Sequence, residues 1–557
     1  MAPHRLPVLS LGLVLVFAAM RLSAGEFDVR AFGATGDGTT IDTAAINKAI
    51  DAAAAAGGGI VRFPAGTYAS YSIHLKSHVA LYLDIGSTLV AADPPADLSA
   101  GYDAPEPNPV TDQYEDFGHS HMHNSLIWGE NLVDISITGP GRIYGLGLSR
   151  GRPYLRRDTL PSERASGANP DLSLPAAEIA AIKQIKPGPY DFPGKDTLPA
   201  GVGNKAIALK NCRNVIFRDF TIFHGGHFGI LAEGVDNWTC DNLKIDTNRD
   251  GIDFDCCQNV RVSNCTVNSP NDDGICPKSS YSLGYSRMTE NVTITNCQVS
   301  GFDEGTLLDN SRKRLESRSM GAHGPTGRIK CGTESNGGFR NITISNCVFE
   351  YCRGLAFESV DGALMEDIAV SNITMRDIIN APIYIRLGAR LRGPAGTTIG
   401  TARRIKIENV VAHNVAAEAG ILIEGVPGTT INDVSLSNIF IDFEGGGTAE
   451  DAKRVVAEDV DGYPEPARLG KLSSWGLFAR HVKNFSMDHV ELRVAKEDLR
   501  PVVSLEDVSG VDIDHAVFSH APGVKTVVLK NVTGLTNRDS GGLPDTKKAG
   551  TTSDGTL

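Results

Sequence analysis

Two knots of acidic residues lie close together in the stretch 248–278, NRDGIDFDCCQNVRVSNCTVNSPNDDGICPK. The first is Asn248-Arg249-Asp250 with Asp253; the second is Asp272-Asp273. Carboxyl groups crowded together cannot all ionise, so one keeps its proton while another stays charged. Glycoside hydrolysis needs that combination: an acid for the leaving oxygen and a base for the attacking water. In isolation, Arg-Asp-Gly and Asp-Asp-Gly are also ordinary turn sequences. A calcium site built from Asp250, Asp253, Asp272 and Asp273 is the other chemistry such a set offers.

What would bring the knots together is a repeat. Between them Val260-Arg261-Val262-Ser263 alternates as a short strand does, and the step from Asp250 to Asp272 is about 22 residues. From about residue 60 to about residue 535 the chain repeats one phrase: Asn, aliphatic, any, aliphatic, any, Asn or Asp. Asn214-Val215-Ile216-Phe217-Arg218-Asp219, Asn259 to Asn264, Asn291 to Asn296 and Asn341 to Asn346 carry it, with weaker copies at Asp367, Arg404, Asp433 and Asn484. Short strands at this period, with too little helix for βαβ crossovers, predict a parallel β-helix whose coils of about 22–25 residues carry insertions. A β-sandwich and a propeller are the alternatives. In a β-helix the coils stack about 4.8 Å apart, so Asp250 and Asp272 should lie one above the other. Asparagines at equivalent turns should bond along the stack.

The chain divides on this reading into an export signal (1–25), an N-terminal cap and first coils (26–93), a β-helix (94–540) with insertions near 94–124 and 149–203, and a tail without structure (541–557). His4, Arg5, the apolar run Leu6 to Met20 and Ser23-Ala24-Gly25 make the signal; an anchor would need about 20 apolar residues. Export to the extracellular space or periplasm follows, and no later stretch is apolar enough for a membrane. Asp42 is the expected N-cap of a plugging helix whose apolar face is Ile46, Ala49, Ile50 and Ala53 and which ends at Gly57-Gly58-Gly59. A second helix is expected around Pro175 to Lys183.

A net charge of −13 argues against nucleic acid without excluding a polyanionic sugar at a local basic cleft. All ten cysteines fall between Cys212 and Cys352. The repeat Asn264-Cys265, Asn296-Cys297, Asn346-Cys347 reads as a ladder of buried thiols, with one or more bridges as the alternative. His119, His121 and His123 alternate as metal ligands can, but lack a fourth partner and are expected at a polar rim. Trp238 is expected in the core. Arg312-Lys313-Arg314 with Arg318 is either a solvated loop or an attractor for a polyanion. His224 and His227 flank glycines one coil before Asp250, as rim or subsite residues.

At the acidic knots the sequence resembles glycoside hydrolase family 28, the polygalacturonase and rhamnogalacturonan hydrolase family, over nearly the whole chain from FDVRAFGATGDG onward. Asn248-Arg249-Asp250 resembles the family's Asn-Thr-Asp with its middle residue changed; Gly251-Ile252-Asp253, Asp272-Asp273 and Arg328-Ile329-Lys330 match its later motifs. The family's Gly-His-Gly, roughly one coil after the paired aspartates, is missing: that place reads Ser300-Gly301-Phe302-Asp303-Glu304-Gly305, and His323 comes later. Since rhamnogalacturonan hydrolases of the family also lack the histidine, this bears on the substrate rather than on hydrolysis. The resemblance implies an all-β, right-handed parallel β-helix and inverting hydrolysis of pectin. It implies Asp272 as general acid, Asp250 and Asp273 as the residues that activate water, and Asp253 in support. Arg328 and Lys330 would hold a uronic carboxylate, the arginine by its fork and the lysine as a point charge; Asn248 and His227 join them as substrate contacts. The expected partner is an acidic plant-type polysaccharide or oligosaccharide. No cofactor or metal is called for, and a monomer is expected. The long insertions suggest attack at chain ends. A calcium-dependent pectate lyase and a β-helical adhesin or sugar-binding scaffold without turnover are the competing functions.

Overall fold

Asparagine sets the turns of this chain. In the computed structural model, which describes residues 25–95, 97–107, 109–116, 118–149, 198, 200–314 and 325–557, the first asparagine of each repeat (Asn214, Asn237, Asn259, Asn291, Asn341) has φ of 52–59°. The second (Asn264, Asn296, Asn346, Asn372, Asn409, Asn438) has φ of 52–57°. Asparagine enters this left-handed region more readily than other side-chain-bearing residues, and each such residue bends one strand into the next. Its amide then bonds along the stack, from Asn291 Nδ2 to Asn259 Oδ1 at 3.2 Å and from Asn341 Nδ2 to Asn291 Oδ1 at 2.7 Å. A second file runs through Asn372 to Asn346 at 3.0 Å and Asn409 to Asn372 at 3.1 Å.

The strands pair in parallel with their counterparts in the next coil, as a β-helix requires and a sandwich or propeller does not. One coil is Phe228–Glu233, Asp236–Asp241 and Lys244–Asp246; the next is Asp250–Asp255, Gln258–Ser263 and Thr266–Asn268. Val215, Trp238, Val260, Val292 and Ile342 stand in register and are at most 2% exposed. Trp238 is therefore core, edge-on to Phe217 and Phe254. All ten cysteines are buried and free, with the Cys265 side chain between those of Cys240 and Cys297.

At the N-terminal end the helix Thr43–Ala55 buries Ile46, Ala49, Ile50 and Ala53 against the first coils. Asp42 precedes it but does not cap it. Its carboxylate instead accepts from the backbone N–H groups of Thr35 at 2.8 Å and Gly36 at 3.1 Å, fixing the loop before the helix. The segment 541–557, expected to lack structure, holds a strand, Thr546–Thr556, antiparallel to Val527–Arg538. Composition misleads here because this strand buries no apolar face; its backbone satisfies the edge of the last coil. No helix among the described residues is long and apolar enough to cross a membrane. Residues 1–24 of the expected export signal (1–25), the helix expected near 175–183, Arg318 and His323 lie outside the described residues.

The end of the first strand of each coil carries a second pattern. Glu130, Lys210, Glu233, Asp255 and Lys278 form one file, and Glu358, Arg386, Glu424, Arg480, Glu506 and Lys530 form another. Apart from Glu233 beside Asp255, signs alternate along both, as with Arg386 Nη1 to Glu424 Oε2 at 2.6 Å.

The asparagine file is tested at Asn291, which bonds above and below. Asn291→Gly loses the amide bonds but keeps the backbone freedom; Asn291→Ala loses both. The alanine variant should be less stable than the glycine variant by about 1–2 kcal/mol in denaturant unfolding; equal stabilities would remove the left-handed turn as its cause.

Candidate active site

Both acidic knots sit where the third strand of a coil turns back into the first. The register is one residue off the spacing read from the sequence. Ile252 pairs with Ile275, so the step is 23 residues, as in the bond from Asp273 N–H to Asp250 Oδ1 at 3.3 Å. Asp273, not Asp272, therefore stacks on Asp250, and Asp272 stacks on Arg249. The glycine after Asp250 is a packing requirement: a Cβ at Gly251 would lie 2.5 Å from the Gly274 carbonyl oxygen and 2.3 Å from Val267. Carboxylate oxygens of Asp250, Asp272 and Asp273 fall within 4.8 Å of one another.

Arg328-Ile329-Lys330 lies on the very next coil, with Ile329 bridged to Ile275 and Gly274 N–H bonded to Arg328 O at 2.8 Å. The basic motif thus occupies the coil on which a Gly-His-Gly was sought. Ser300–Gly305, the place expected for that motif, folds the other way. Gly305 N–H donates to Asp246 Oδ1 at 2.9 Å, and Glu304 lies 3.0 Å from His224 Nδ1. The insertion between Ser300 and Arg328 displaced the count along the sequence.

The charges divide sharply. Arg328 Nε donates to Asp273 Oδ1 at 2.8 Å and Lys330 Nζ pairs with Asp273 Oδ2. Burial alone would raise the Asp273 carboxyl; Lys330 and Arg328 outweigh it and hold the group well below the usual carboxylate range. Burial, then the charges of Asp253 and Asp272, push Asp250 well above it. Burial lifts Asp253 to about 7 against the pull of Lys278, which lies 3.4 Å from it and 3.2 Å from Glu334. Opposite pushes therefore act on two aspartates that face each other across one step of the stack. Asp272 takes a different partner, Arg249, whose Nη2 donates to Oδ2 at 2.6 Å. A divalent ion finds little uncompensated charge here, because Arg249, Arg328 and Lys330 already balance the aspartates.

Of the expected substrate contacts, Arg328 and Lys330 are only 3% exposed; Arg328 also faces Glu465 at 3.4 Å and Glu358 at 3.6 Å. Asn248 is buried with its Nδ2 unpartnered. His227 is buried edge-on against Phe228, the residue stacked on Asp250 one coil earlier.

Three segments wall the aspartates in. His119 packs on Phe228 with ring centroids 5.1 Å apart, and Met122 joins Ala208, Phe228 and Leu231, covering the coils before Asp250. His119 and His121 are thus buried rather than at a rim, while His123 turns away onto Trp128 at 4.0 Å; the three rings do not converge. On the far side Glu465 accepts from Arg353 at 2.5 Å and Asn380 at 2.8 Å, and the Tyr463 hydroxyl meets Thr333 at 2.9 Å. Arg392 ties the walls together, reaching Asp116 at 2.6 Å and Glu334 at 2.5 Å. Sequence reading missed Arg392, Glu465, Lys278 and Glu334, since their partners lie up to 276 residues away. The basic run behaves as a loop surface, with Arg312 on Glu350 and Arg314 on Asp377.

Asp273→Asn should leave Arg328 and Lys330 uncompensated and cost about 3–5 kcal/mol of stability. Asp272→Asn, at a partly exposed pair, should cost far less; equal losses in urea unfolding would contradict this division. Under the first wall, burial and Glu233 push Glu115 up to about 9 from 4.5. The unfolded chain loses that proton first, so stability should fall as pH rises from about 4.5 to about 9. Glu115→Gln should match the parent protein near pH 4 and melt above it near pH 9.

Sequence families agree with this architecture. Residues 27–88 match the family model described as rhamnogalacturonase A/epimerase, pectate lyase-like, and residues 200–284 match the right-handed β-helix region. An exo-poly-α-D-galacturonosidase of Dickeya chrysanthemi is 27% identical over 256 residues, which span 44% of this chain and 40% of that relative. A probable polygalacturonase of Vitis vinifera is 23% identical over 484 residues, 80% of each chain. The family 28 exopolygalacturonase of Yersinia enterocolitica superposes with a TM-score of 0.60 at 19% identity, over 88% of this chain and 78% of that one. The chain is a right-handed parallel β-helix, similar in sequence and fold to the polygalacturonases of glycoside hydrolase family 28.

Proposed function

We propose that this protein is an exported glycoside hydrolase that cleaves galacturonic-acid-containing, pectin-type polysaccharide at chain ends. One observation carries the reading: carboxylate oxygens of Asp250, Asp272 and Asp273 lie within 4.8 Å of one another, with Arg328 and Lys330 paired to Asp273 while burial pushes Asp250 upward. Three crowded carboxyls on one enclosed face can supply both the acid and the base that glycoside hydrolysis requires. The named relatives, an exo-poly-α-D-galacturonosidase and a polygalacturonase, fit the same chemistry. Asp272, the most open of the three aspartates with its side chain 25% exposed, gives the proton to the leaving oxygen. The bond from that oxygen to the anomeric carbon breaks, water supplies the new hydroxyl, and its proton goes to the Asp250–Asp273 pair. Walls on both sides of the aspartates along the solenoid favour a chain end over the middle of a polymer. Inversion follows from the family resemblance. Retention is the second reading, because oxygens within 4.8 Å lie closer than the roughly 6.5–9.5 Å usual between inverting carboxyls.

Homogalacturonan and rhamnogalacturonan digests, followed by reducing ends and ultraviolet absorbance, test this. Reducing ends should rise without absorbance, as small products from the outset, and Asp272→Asn should abolish them. Absorbance rising with calcium would make the protein a lyase; unchanged polymer would favour a binding scaffold; long early products would exclude end attack. Proton NMR of the first product from an α-galacturonide should show the β-anomer, whereas the α-anomer first would mean retention.

A further inference from the structure

We propose that Arg249 reads the carboxylate of the sugar at the scissile bond, leaving Asp272 for it when substrate enters; this deepens the hydrolase reading and rests on it. Among the described residues, four cations lie next to the aspartates. Lys278 and Lys330 are 5% and 3% exposed and Arg328 is 3% exposed, and each is set between fixed acids: Asp253 and Glu334 for Lys278, Asp273 for Lys330, and Asp273, Glu358 and Glu465 for Arg328. The Arg249 side chain is 33% exposed, and its ion partner, Asp272, is 25% exposed.

The register explains the pairing. With a step of 23 residues Arg249 lies under Asp272, so an arginine at this position meets the carboxyl that must deliver the proton. While Nη2 donates to Oδ2, that oxygen faces an N–H and cannot present a proton to a leaving group. A guanidinium fork accepts one carboxylate in place of another without changing the local charge. A uronate in the site can therefore take Arg249 from Asp272 at little electrostatic cost. Asp272 Oδ2 then no longer accepts from Nη2 and is open to carry a proton towards the leaving group. The proton needed is one the cluster or solvent supplies to Asp272 Oδ2, and it passes next to the glycosidic oxygen. A methyl-esterified or neutral sugar offers no carboxylate, so Arg249 stays on Asp272 and the acid is not released.

The test compares free-acid and methyl-esterified oligogalacturonides on the native enzyme and on Arg249→Thr and Arg249→Lys. The native enzyme should prefer the free acid by about tenfold or more in kcat/KM, the scale of one charge-assisted contact, and the preference should appear in kcat as well as KM. Arg249→Thr should lower the ratio towards one, and Arg249→Lys should restore part of it. Native preference surviving in Arg249→Thr, with hydrolysis intact, would overturn the proposal alone; absence of hydrolysis by the native enzyme on both substrates would sink the underlying reading instead. Calorimetry with galacturonate gives a second measurement. Asp272→Asn, in which Arg249 no longer faces the Asp272 carboxylate, should bind galacturonate about tenfold more tightly than Asp272→Asn/Arg249→Thr, and equal binding would overturn the proposal even if turnover were lost.

Discussion

The spacing between coils governs this molecule. Parallel strands repeat about 4.8 Å apart, so every side chain has its counterpart from the next coil within contact distance. Three chemical solutions to that crowding coexist. Aliphatic and aromatic residues stack on their own kind, as Val215, Trp238, Val260 and Val292 do. Asparagine can also stack on itself because its amide both donates and accepts. Charged residues cannot, so Glu358, Arg386, Glu424 and Arg480 alternate. The aspartates at 250 and 273 depart from alternation. Two acids occupy successive rungs, with Asp253 and Asp272 beside them; Arg328 and Lys330 balance Asp273, while burial and the neighbouring acids push Asp250 upward.

That departure depends on distant parts of the chain. The lysine and arginine that fix Asp273 come from the following coil, and Arg328 is in turn held by Glu358 and Glu465. Glu465 belongs to a loop that folds back over three earlier coils through Arg353 and Asn380. The first wall and the Arg390–Arg392 loop meet through Asp116. A rigid ladder thus supplies the reacting groups, and long loops supply the enclosure.

The fold was legible because the repeat states it directly: two asparagines bracketing two inward aliphatics define a coil. The gathering of the two acidic knots was legible too. What was not legible was register. A shift from 22 to 23 residues changes which side chains stack, and only the hydrogen bonds of Gly251 and Ile252 to Asp273 and Gly274 decide it. The same shift gave Arg249 its partner. The place of Arg328 was hidden by an insertion whose length says nothing about where it returns. The charge file was present in the sequence, as the charged residue closing Ala-Leu-Lys, Leu-Ala-Glu, Leu-Ile-Glu and Phe-Ala-Arg, but its meaning requires the strands to be aligned first. The C-terminal strand was missed because composition measures burial, and this strand binds through its backbone.

That last strand bears on how the molecule behaves in a crowd. A β-helix that stopped at Val527–Arg538 would present a dozen residues of open parallel edge, already twisted to receive one more coil from any source. Another copy of the same protein would be the best match, and stacking could continue from chain to chain. Thr546–Thr556 meets that edge running the opposite way, and its side chains are threonine, lysine, serine, aspartate, glycine and alanine. An antiparallel outer rung offers an arriving parallel coil the wrong hydrogen-bond spacing, and its polar surface offers no apolar contact. The pairing of Thr546–Thr556 with Val527–Arg538 thus covers an edge that a further parallel coil would otherwise meet.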